Sequence, residues 1–303
     1  MTTDTENPPS WALQALEAPA DEHELVHHGV PLRYRSWGTP GRPGLVLVHG
    51  AMAHARWWDI IAPRLAADFH VLAPHLSGMG DSGHRDAYST ALFADEVVAA
   101  MDHAGLGSDT VVVGHSMGGV VALALGGRHG ARVRGVVVLD SPIHPPHHPS
   151  PFDPSKAPYR PKTLCADRDR AASRFVLLPP QPCPHPYLLR HVARHSVAAL
   201  AGGWSWKFDD ALFRKLEKVE PWRLLEALEI PLALIYGEQS AVFDASVRAY
   251  VGDLARRRGW PMFAIPGGHH HLMLDSPRAL TAALHGLLAG WPGPVGREPR
   301  VGG

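Results

Sequence analysis

The sequence predicts an α/β protein whose core is a mostly parallel, eight-stranded sheet with helices on both faces and an inserted helical cap. Three observations support this fold class. Buried strand patterns alternate with helix patterns over residues 45–140 and again over residues 232–288. An antiparallel hairpin pattern comes before the first of these segments, and a proline-dense segment without strand signals separates the two. Such alternation predicts parallel strands covered by helices, with ligands bound at the carboxyl ends of the strands.

The first half of the chain contains six of the predicted strands. Two of them form a hairpin that turns at Gly29. The other four are short apolar runs that are typical of buried strands. The hairpin strands are predicted at 23–30 and 32–37, the buried strands at 45–48, 70–74, 111–113 and 135–140, and helices between the buried strands at 57–68, 89–104 and 117–129.

The alternation stops at Ser141 and resumes with a strand at 232–237. Helix patterns at 167–177 and 188–200 lie in the interval, and the last elements are a helix at 243–258, a strand at 262–266 and a helix at 277–288. We therefore predict a core formed by residues 21–142 and 226–291, a helical cap at 143–225, a flexible N-terminal arm at 1–20 with a short helix near 11–16, and a flexible tail at 292–303.

Charge, cysteine content and hydropathy narrow the class of protein. The 303 residues include 29 Lys and Arg against 29 Asp and Glu, which argues against a nucleic-acid surface. Cys165 and Cys183 lack metal-ligand spacing, so we expect free thiols. Because the sequence contains neither an apolar signal segment nor a run of about 18 apolar residues, we expect a cytoplasmic protein without a membrane partner, either a monomer or a homodimer.

The most informative motif is Gly114-His115-Ser116-Met117-Gly118, which links the strand at 111–113 to the following helix. In so tight a turn a side chain at either glycine would clash, and the serine hydroxyl would stand above the sheet edge at a helix N-terminus. The string alone also occurs in ordinary glycine-rich turns. An unbroken β-branched strand before it and an apolar helix after it favour a nucleophile elbow.

A serine nucleophile needs a general base and donors for an oxyanion, all at strand ends. The loop His49-Gly50-Ala51 follows the first parallel strand, so the backbone N–H groups of Ala51 and Met117 are the predicted donors. The base is expected after the last strand, where Gly267-Gly268-His269-His270-His271 falls. Metal binding by this histidine run is disfavoured, because adjacent side chains on a loop diverge. We predict no metal and no cofactor, and a solvated loop for His144, His147 and His148.

The acid that would orient the base is not marked by a single motif. The strand at 232–237 is followed by Glu238-Gln239-Ser240, with no aspartate three residues after Gly237. Three acids remain open: Glu238, Asp244 and Asp140. Asp140 ends the strand next to the elbow strand, from which its carboxylate could reach the same histidine. We therefore prefer Asp140 as the orienting acid. Its alternative role is that of a loop anchor or a helix cap.

These motifs resemble those of the α/β-hydrolases, in particular the capped serine hydrolases, over roughly residues 29–288. Gly114–Gly119 resembles the family's elbow, His49-Gly50 its oxyanion loop, and His75–Ser82 its Asp-x-x-Gly-x-Gly-x-Ser loop. The resemblance of Leu274-Asp275-Ser276-Pro277 to the end of the family's base loop implies His270 as base, with His269 as runner-up. The family's acid usually follows the penultimate parallel strand, where Ser240 stands. A minority of members carry it at the position of Asp140.

The resemblance implies a serine hydrolase that cleaves an ester, lactone or related acyl bond of a small apolar substrate through an acyl-enzyme on Ser116. Alternatives on the same scaffold are an acyltransferase, a thioesterase, a C–C bond hydrolase or a cofactor-free oxygen-chemistry enzyme; a non-catalytic ligand receptor is a further one. Dehalogenases and epoxide hydrolases of the family carry Asp where Ser116 stands. Cap aromatics, mainly Trp204, Trp206 and Phe208, are predicted to line the substrate pocket, although such rings also pack cap onto core.

Overall fold

The computed structural model describes residues 7–146, 148 and 161–291. Within this part of the chain, eight strands form one sheet in the order β1-β2-β4-β3-β5-β6-β9-β10. The strands of this sheet are β1 (Asp21–His27), β2 (Val30–Trp37), β3 (Gly44–Val48), β4 (His70–His75), β5 (Val111–His115), β6 (Gly135–Leu139), β9 (Leu232–Gly237) and β10 (Met262–Ile265).

The pairing of these strands confirms the predicted sheet. β1 pairs with β2 and β2 with β4 in antiparallel register, whereas the remaining neighbours are all parallel. β5 lies between β3 and β6, so the loops that follow these three strands open at the same edge of the sheet. The predicted oxyanion loop, nucleophile and acid follow β3, β5 and β6, respectively.

Helices cover both faces of the sheet. Successive residues of a strand point to opposite sides, so a strand made entirely of apolar residues needs a covering layer on each face. On β3, Val46 and Val48 pack into one hydrophobic cluster, and Leu45 and Leu47 pack into the other. The helices are α1 (Ser10–Leu16), α2 (Ala62–Leu65), α3 (Thr90–His103), α4 (Met117–His129), α5 (Arg168–Ala172), α6 (Pro186–His195), α7 (Leu212–Lys215), α8 (Pro221–Glu226), α9 (Ala245–Arg258), α10 (Leu272–Asp275) and α11 (Pro277–Ala289), with 3₁₀ turns at Ala55–Trp58 and Gly130–Arg132.

Two segments that precede the cap differ from the prediction. The helix expected at 57–68 is a 3₁₀ turn, Ala55–Trp58, followed by the separate helix α2. Pro63 lies in the first turn of α2, and a proline there cannot donate the bond that would continue the earlier turn. In the N-terminal arm, Ala12 and Ala15 of α1 are buried against the core, so this part of the arm is packed.

The chain leaves the sheet after β6 and returns at β9, as the predicted insertion requires. The prediction of a helix at 188–200 was wrong at its C-terminal end. The observed helix α6 stops at His195. Residues Val197–Leu200 (β7) instead pair with Gly203–Trp206 (β8) in a two-stranded antiparallel hairpin. Gly202, with φ of 90°, makes the turn that a helix could not accommodate. The tail at 292–303, His147 and residues 149–160 of the cap lie outside the described residues.

Candidate active site

The turn between β5 and α4 has the geometry of a strained elbow. Ser116 has φ of 56° and ψ of −121°, a conformation that L-residues rarely adopt. A Cβ at residue 114 would lie 2.0 Å from the carbonyl oxygen of Gly118, and a Cβ at residue 118 would lie 2.4 Å from that of Val48. Only glycine therefore fits at either position. The turn leaves the partly exposed Ser116 side chain at the carboxyl end of β5.

His270 connects Ser116 to Asp140. Its Nε2 lies 3.1 Å from Ser116 Oγ, and its Nδ1 lies 2.8 Å from Asp140 Oδ1. A carboxylate only accepts hydrogen bonds, so Nδ1 carries a proton. In neutral imidazole the lone pair then resides on Nε2 and faces the serine hydroxyl. This is the tautomer that a general base requires.

Asp140 is completely buried and fully hydrogen-bonded. Its Oδ1 accepts from His270 and from the Ser240 hydroxyl at 2.6 Å, and its Oδ2 accepts from the Gly237 N–H at 2.7 Å. The backbone of Asp140 has φ of 46°, a left-handed conformation that aspartate tolerates better than most residues. Three donors stabilise the buried negative charge and allow the carboxylate one orientation.

The other candidate residues make contacts elsewhere. Glu238 is exposed and accepts from the Gly267 N–H, while Asp244 caps α9 by accepting from the N–H groups of Ser246 and Val247. His269 contacts Asp275 through both its backbone N–H and its ring. Of the acids and bases considered from the sequence, only Asp140 and His270 come together with Ser116.

The oxyanion loop lies directly beside the elbow, because a Cβ at Gly50 would be 3.1 Å from that of Ser116. His49 holds this loop. Its Nε2 accepts from the Leu76 N–H, so its Nδ1 carries the proton and donates to the Gly50 carbonyl at 2.7 Å. Burial lowers the pKa of His49 to about 4, which keeps the ring neutral in this tautomer at neutral pH.

The hydrogen bond from His49 to the Gly50 carbonyl also sets the direction of the Ala51 N–H group. In a trans peptide the C=O and N–H groups point in opposite directions. The Ala51 N–H therefore points away from His49, since the Gly50 carbonyl points toward it. Among the described residues, the N–H groups of Ala51 and Met117 donate to no backbone or side-chain acceptor. The N–H groups of Ala51 and Met117 thus remain the candidates for binding a ligand oxygen.

Three supporting side chains were not found from the sequence. His115 donates from Nε2 to the carbonyl of His270 at 2.9 Å, and Ser240 donates to Asp140. Gln181 of the cap accepts from the His271 N–H and donates to Asp275, bridging the loop that carries His270. His115 lies within the elbow motif, and Ser240 stands out as a departure from the family pattern. No local signal marks Gln181.

Aromatic side chains extend from the cap to the base loop. Trp206 stacks on Phe208 and contacts Phe175 at 6.3 Å between ring centroids. Phe175 contacts Trp57, whose ring lies 5.2 Å from that of His271. Trp204 is not part of this row. It packs within the cap against the cluster around Cys165, with the Arg168 guanidinium over its ring.

Two groups of side chains within the described residues bring potential metal ligands within 4.8 Å of one another. In the group His115, His270 and His271, both His270 nitrogens already contact Asp140 and Ser116. In the second group, the rings of His144 and His148 stack with 10° between their planes. In-plane lone pairs of parallel rings cannot converge on one ion, even with Asp244 nearby. His144 and His148 are half-buried, not solvated as expected.

Comparison with known proteins finds matches to hydrolases and to their fold. The family described as the alpha/beta hydrolase fold matches residues 43–174. Epoxide hydrolase A of Mycobacterium tuberculosis is 36% identical over 122 residues, which cover 39% of this chain and 38% of that protein. Lipase LipV of the same organism is 31% identical over 114 residues, covering 38% of this chain and 43% of the lipase. The matches thus span about two-fifths of these relatives' length.

Among solved structures, the thioesterase domain from the curacin biosynthetic pathway superposes with a TM-score of 0.72. It is 21% identical, and the alignment covers 88% of this chain and all of that domain. The sheet order and this superposition show that the chain has the α/β-hydrolase fold. The family match, which covers less than half of the chain, agrees with that fold. The described residues include no helix long and apolar enough to span a membrane.

Proposed function

We propose that this protein is a serine hydrolase that cleaves a carboxylic ester or a related acyl bond through an acyl-enzyme on Ser116. One observation carries the proposal: His270 lies within hydrogen-bond distance of both Ser116 Oγ and the buried carboxylate of Asp140. An imidazole held in this tautomer between a hydroxyl and a carboxylate is the arrangement that activates serine for nucleophilic attack.

The proposed reaction uses each of these groups in turn. As Ser116 Oγ attacks the carbonyl carbon, its proton passes to His270 Nε2, and Asp140 stabilises the imidazolium that forms. The N–H groups of Ala51 and Met117 stabilise the oxyanion of the tetrahedral intermediate. His270 then protonates the leaving group. Water attacks the acyl-enzyme with His270 again as base, and this releases the acid and restores the Ser116 hydroxyl.

The named relatives are consistent with hydrolysis but differ in the bond they cleave. One is an epoxide hydrolase and another a lipase. A serine at the elbow favours acyl chemistry, because dehalogenases and epoxide hydrolases of this superfamily attack with an aspartate at that position. A small apolar acyl group is the proposed substrate, and Trp206 and Phe208 are the proposed pocket side chains. Trp204, also expected there from the sequence, packs within the cap instead.

The nucleophile is tested with wild type, Ser116→Ala and the exposed-serine control Ser173→Ala. Each protein is assayed with p-nitrophenyl esters of increasing acyl length, with thioesters and with lactones, and each is treated with a fluorophosphonate probe. We expect Ser116→Ala to lose turnover and labelling, while Ser173→Ala behaves as wild type. Labelling that persists in Ser116→Ala would exclude this nucleophile. Tight binding of a compound that wild type never turns over would indicate a receptor.

The acid is tested by comparing Asp140→Asn with Glu238→Gln and Asp244→Asn. An asparagine at 140 no longer holds His270 in the required tautomer, so we expect kcat to fall about 10³–10⁴-fold. Glu238→Gln and Asp244→Asn should retain kcat within a few-fold, because neither carboxylate contacts His270. A large loss in one of these variants with an active Asp140→Asn would reassign the acid.

A further inference from the structure

Ser240 occupies a buried position between the acid and the turn that follows β9. Its side chain is 7% exposed and lies 2.6 Å from the Asp140 oxygen that also accepts from His270. The Ser240 hydroxyl and the His270 ring thus share one carboxylate oxygen. They approach it from two different loops, one after β9 and the other after β10.

The hydrogen bonds of Ser240 allow only one position for its proton. The N–H groups of Val242 and Phe243 both lie 3.1 Å from Ser240 Oγ, and a backbone N–H can only donate. Both acceptor positions of the hydroxyl oxygen are therefore filled. The single O–H must point to Asp140, where a carboxylate oxygen accepts it.

The turn that presents Ser240 is itself well anchored. Phe243 is 1% exposed, and its ring stacks on Tyr236 of β9 at 4.8 Å between centroids. The Ser240 N–H donates to the Gly237 carbonyl at 3.0 Å, and the Gly237 N–H donates to the second oxygen of Asp140. Residues 237–243 thus form one hydrogen-bonded turn, in which Gly237 and Ser240 each donate to one oxygen of the Asp140 carboxylate.

We infer that Ser240 is a positioning residue of the proposed triad, which acts by directing its only proton to Asp140 and so fixing the carboxylate toward His270. The inference rests on the proposed function and adds a fourth side chain to it. Without this hydroxyl, Asp140 would keep the Gly237 N–H and His270 but lose the donor that sets the rotation of its shared oxygen. Within the described residues no hydrogen bond joins the Ser240 side chain to Ser116 or His270, so its effect on the reaction passes through Asp140.

The first test compares Ser240→Ala and Ser240→Thr with wild type on a p-nitrophenyl ester. We expect Ser240→Ala to lower kcat by roughly tenfold to a hundredfold with little change in KM, since a hydrogen bond to a charged group is lost. Ser240→Thr keeps the hydroxyl and should recover most of that loss. The matched control is Ser246→Ala, which removes a hydroxyl that donates to Asp244 at the N-terminus of α9. It should leave kcat as in wild type.

A double-mutant cycle separates positioning from a merely structural role, because Ser240→Ala also frees the N–H groups of Val242 and Phe243. If Ser240 acts through Asp140, adding Ser240→Ala to Asp140→Asn should cause no further loss of kcat. An equal loss in both backgrounds, or wild-type kcat in Ser240→Ala, would overturn the inference. The proposed function fails by a different result, namely ester turnover and labelling that persist in Ser116→Ala, so the two failures are distinguishable.

Discussion

His115, the residue before the elbow serine, donates a hydrogen bond from its ring Nε2 to the backbone carbonyl of His270. The centroids of the His115 and His270 rings lie 4.7 Å apart, and both residues are almost completely buried. Burial is the main reason that the pKa of His115 lies well below its usual value, so the ring stays neutral. The strand end that carries the proposed nucleophile therefore also supports the loop that carries the proposed base.

We predict that His115→Leu lowers kcat on an ester substrate about tenfold or more. The leucine leaves the His270 carbonyl without its donor, a cost of about 1–3 kcal/mol that loosens the loop. His115→Gln places an amide N–H near the position of Nε2 and should retain most of the activity. Thermal unfolding of both variants separates loss of folding from loss of rate. Equal activity in His115→Leu and His115→Gln would contradict this role.

A second prediction concerns Gln181, whose amide bridges the cap to the base loop. Gln181→Glu keeps an acceptor for the His271 N–H but places a carboxylate where an N–H group now donates to Asp275 Oδ2 at 3.1 Å. Burial already raises the pKa of Asp275. Two adjacent carboxylates repel each other, so we expect kcat to fall relative to wild type at pH 8.

The control for this variant is Gln181→Ala, which removes the bridge without adding charge. Relative to wild type at each pH, the activity of Gln181→Glu should recover as pH falls toward 5 and one carboxyl group becomes protonated. The relative activity of Gln181→Ala should not change with pH in this way. A pH-independent ratio for Gln181→Glu would show that charge repulsion plays no part.

The elbow helix α4 offers a matched pair of glycines for a third prediction. A Cβ at Gly118 would lie 2.4 Å from the Val48 carbonyl oxygen, whereas a Cβ at the exposed Gly127 would meet nothing within 4 Å. Gly118→Ala should therefore unfold at lower temperature and lose esterase activity. Gly127→Ala should raise the free energy of unfolding by about 0.5–1 kcal/mol with activity unchanged. A stable, active Gly118→Ala protein would contradict the elbow geometry.

The parts of the site that could be predicted are those with a local cause. The glycines at 114 and 118 mark the elbow because backbone crowding excludes every other residue there. Asp140 could be selected because adjacent parallel strands end at the same edge of the sheet. Both inferences need only the residues of one turn or the order of neighbouring strands.

The remaining parts depend on contacts between distant segments. Ser240 and Asp140 are 100 residues apart, and Gln181 and His271 are 90 apart. Such hydrogen bonds leave no periodic pattern in the sequence. The cap hairpin did leave a signal, since Gly202-Gly203 precedes the alternating Trp204-Ser205-Trp206. The apolar run Val197–Leu200 fitted a helix equally well, because periodicity cannot separate short buried strands from helices.

A fourth prediction is that stability falls steeply in mild acid because of the buried histidines near the oxyanion loop. Burial lowers the pKa of His49 to about 4 and that of His75 to about 3. In the unfolded chain a histidine titrates near its usual pKa of about 6.5. Between these values the unfolded state binds protons that the folded state does not. Stability is therefore fully present above about pH 6.5 and declines as pH falls toward 4.

Each such site adds a slope of about 1.4 kcal/mol per pH unit within that window. Urea unfolding at half-unit steps from pH 8 to pH 4 measures the slope directly. His75→Gln removes one titrating site and should make the curve shallower by up to this amount below pH 6.5. Above pH 7 the curves of variant and wild type should run parallel, because neither state binds a proton at residue 75. A parallel course below pH 6.5 as well would mean that His75 does not contribute to the acid sensitivity.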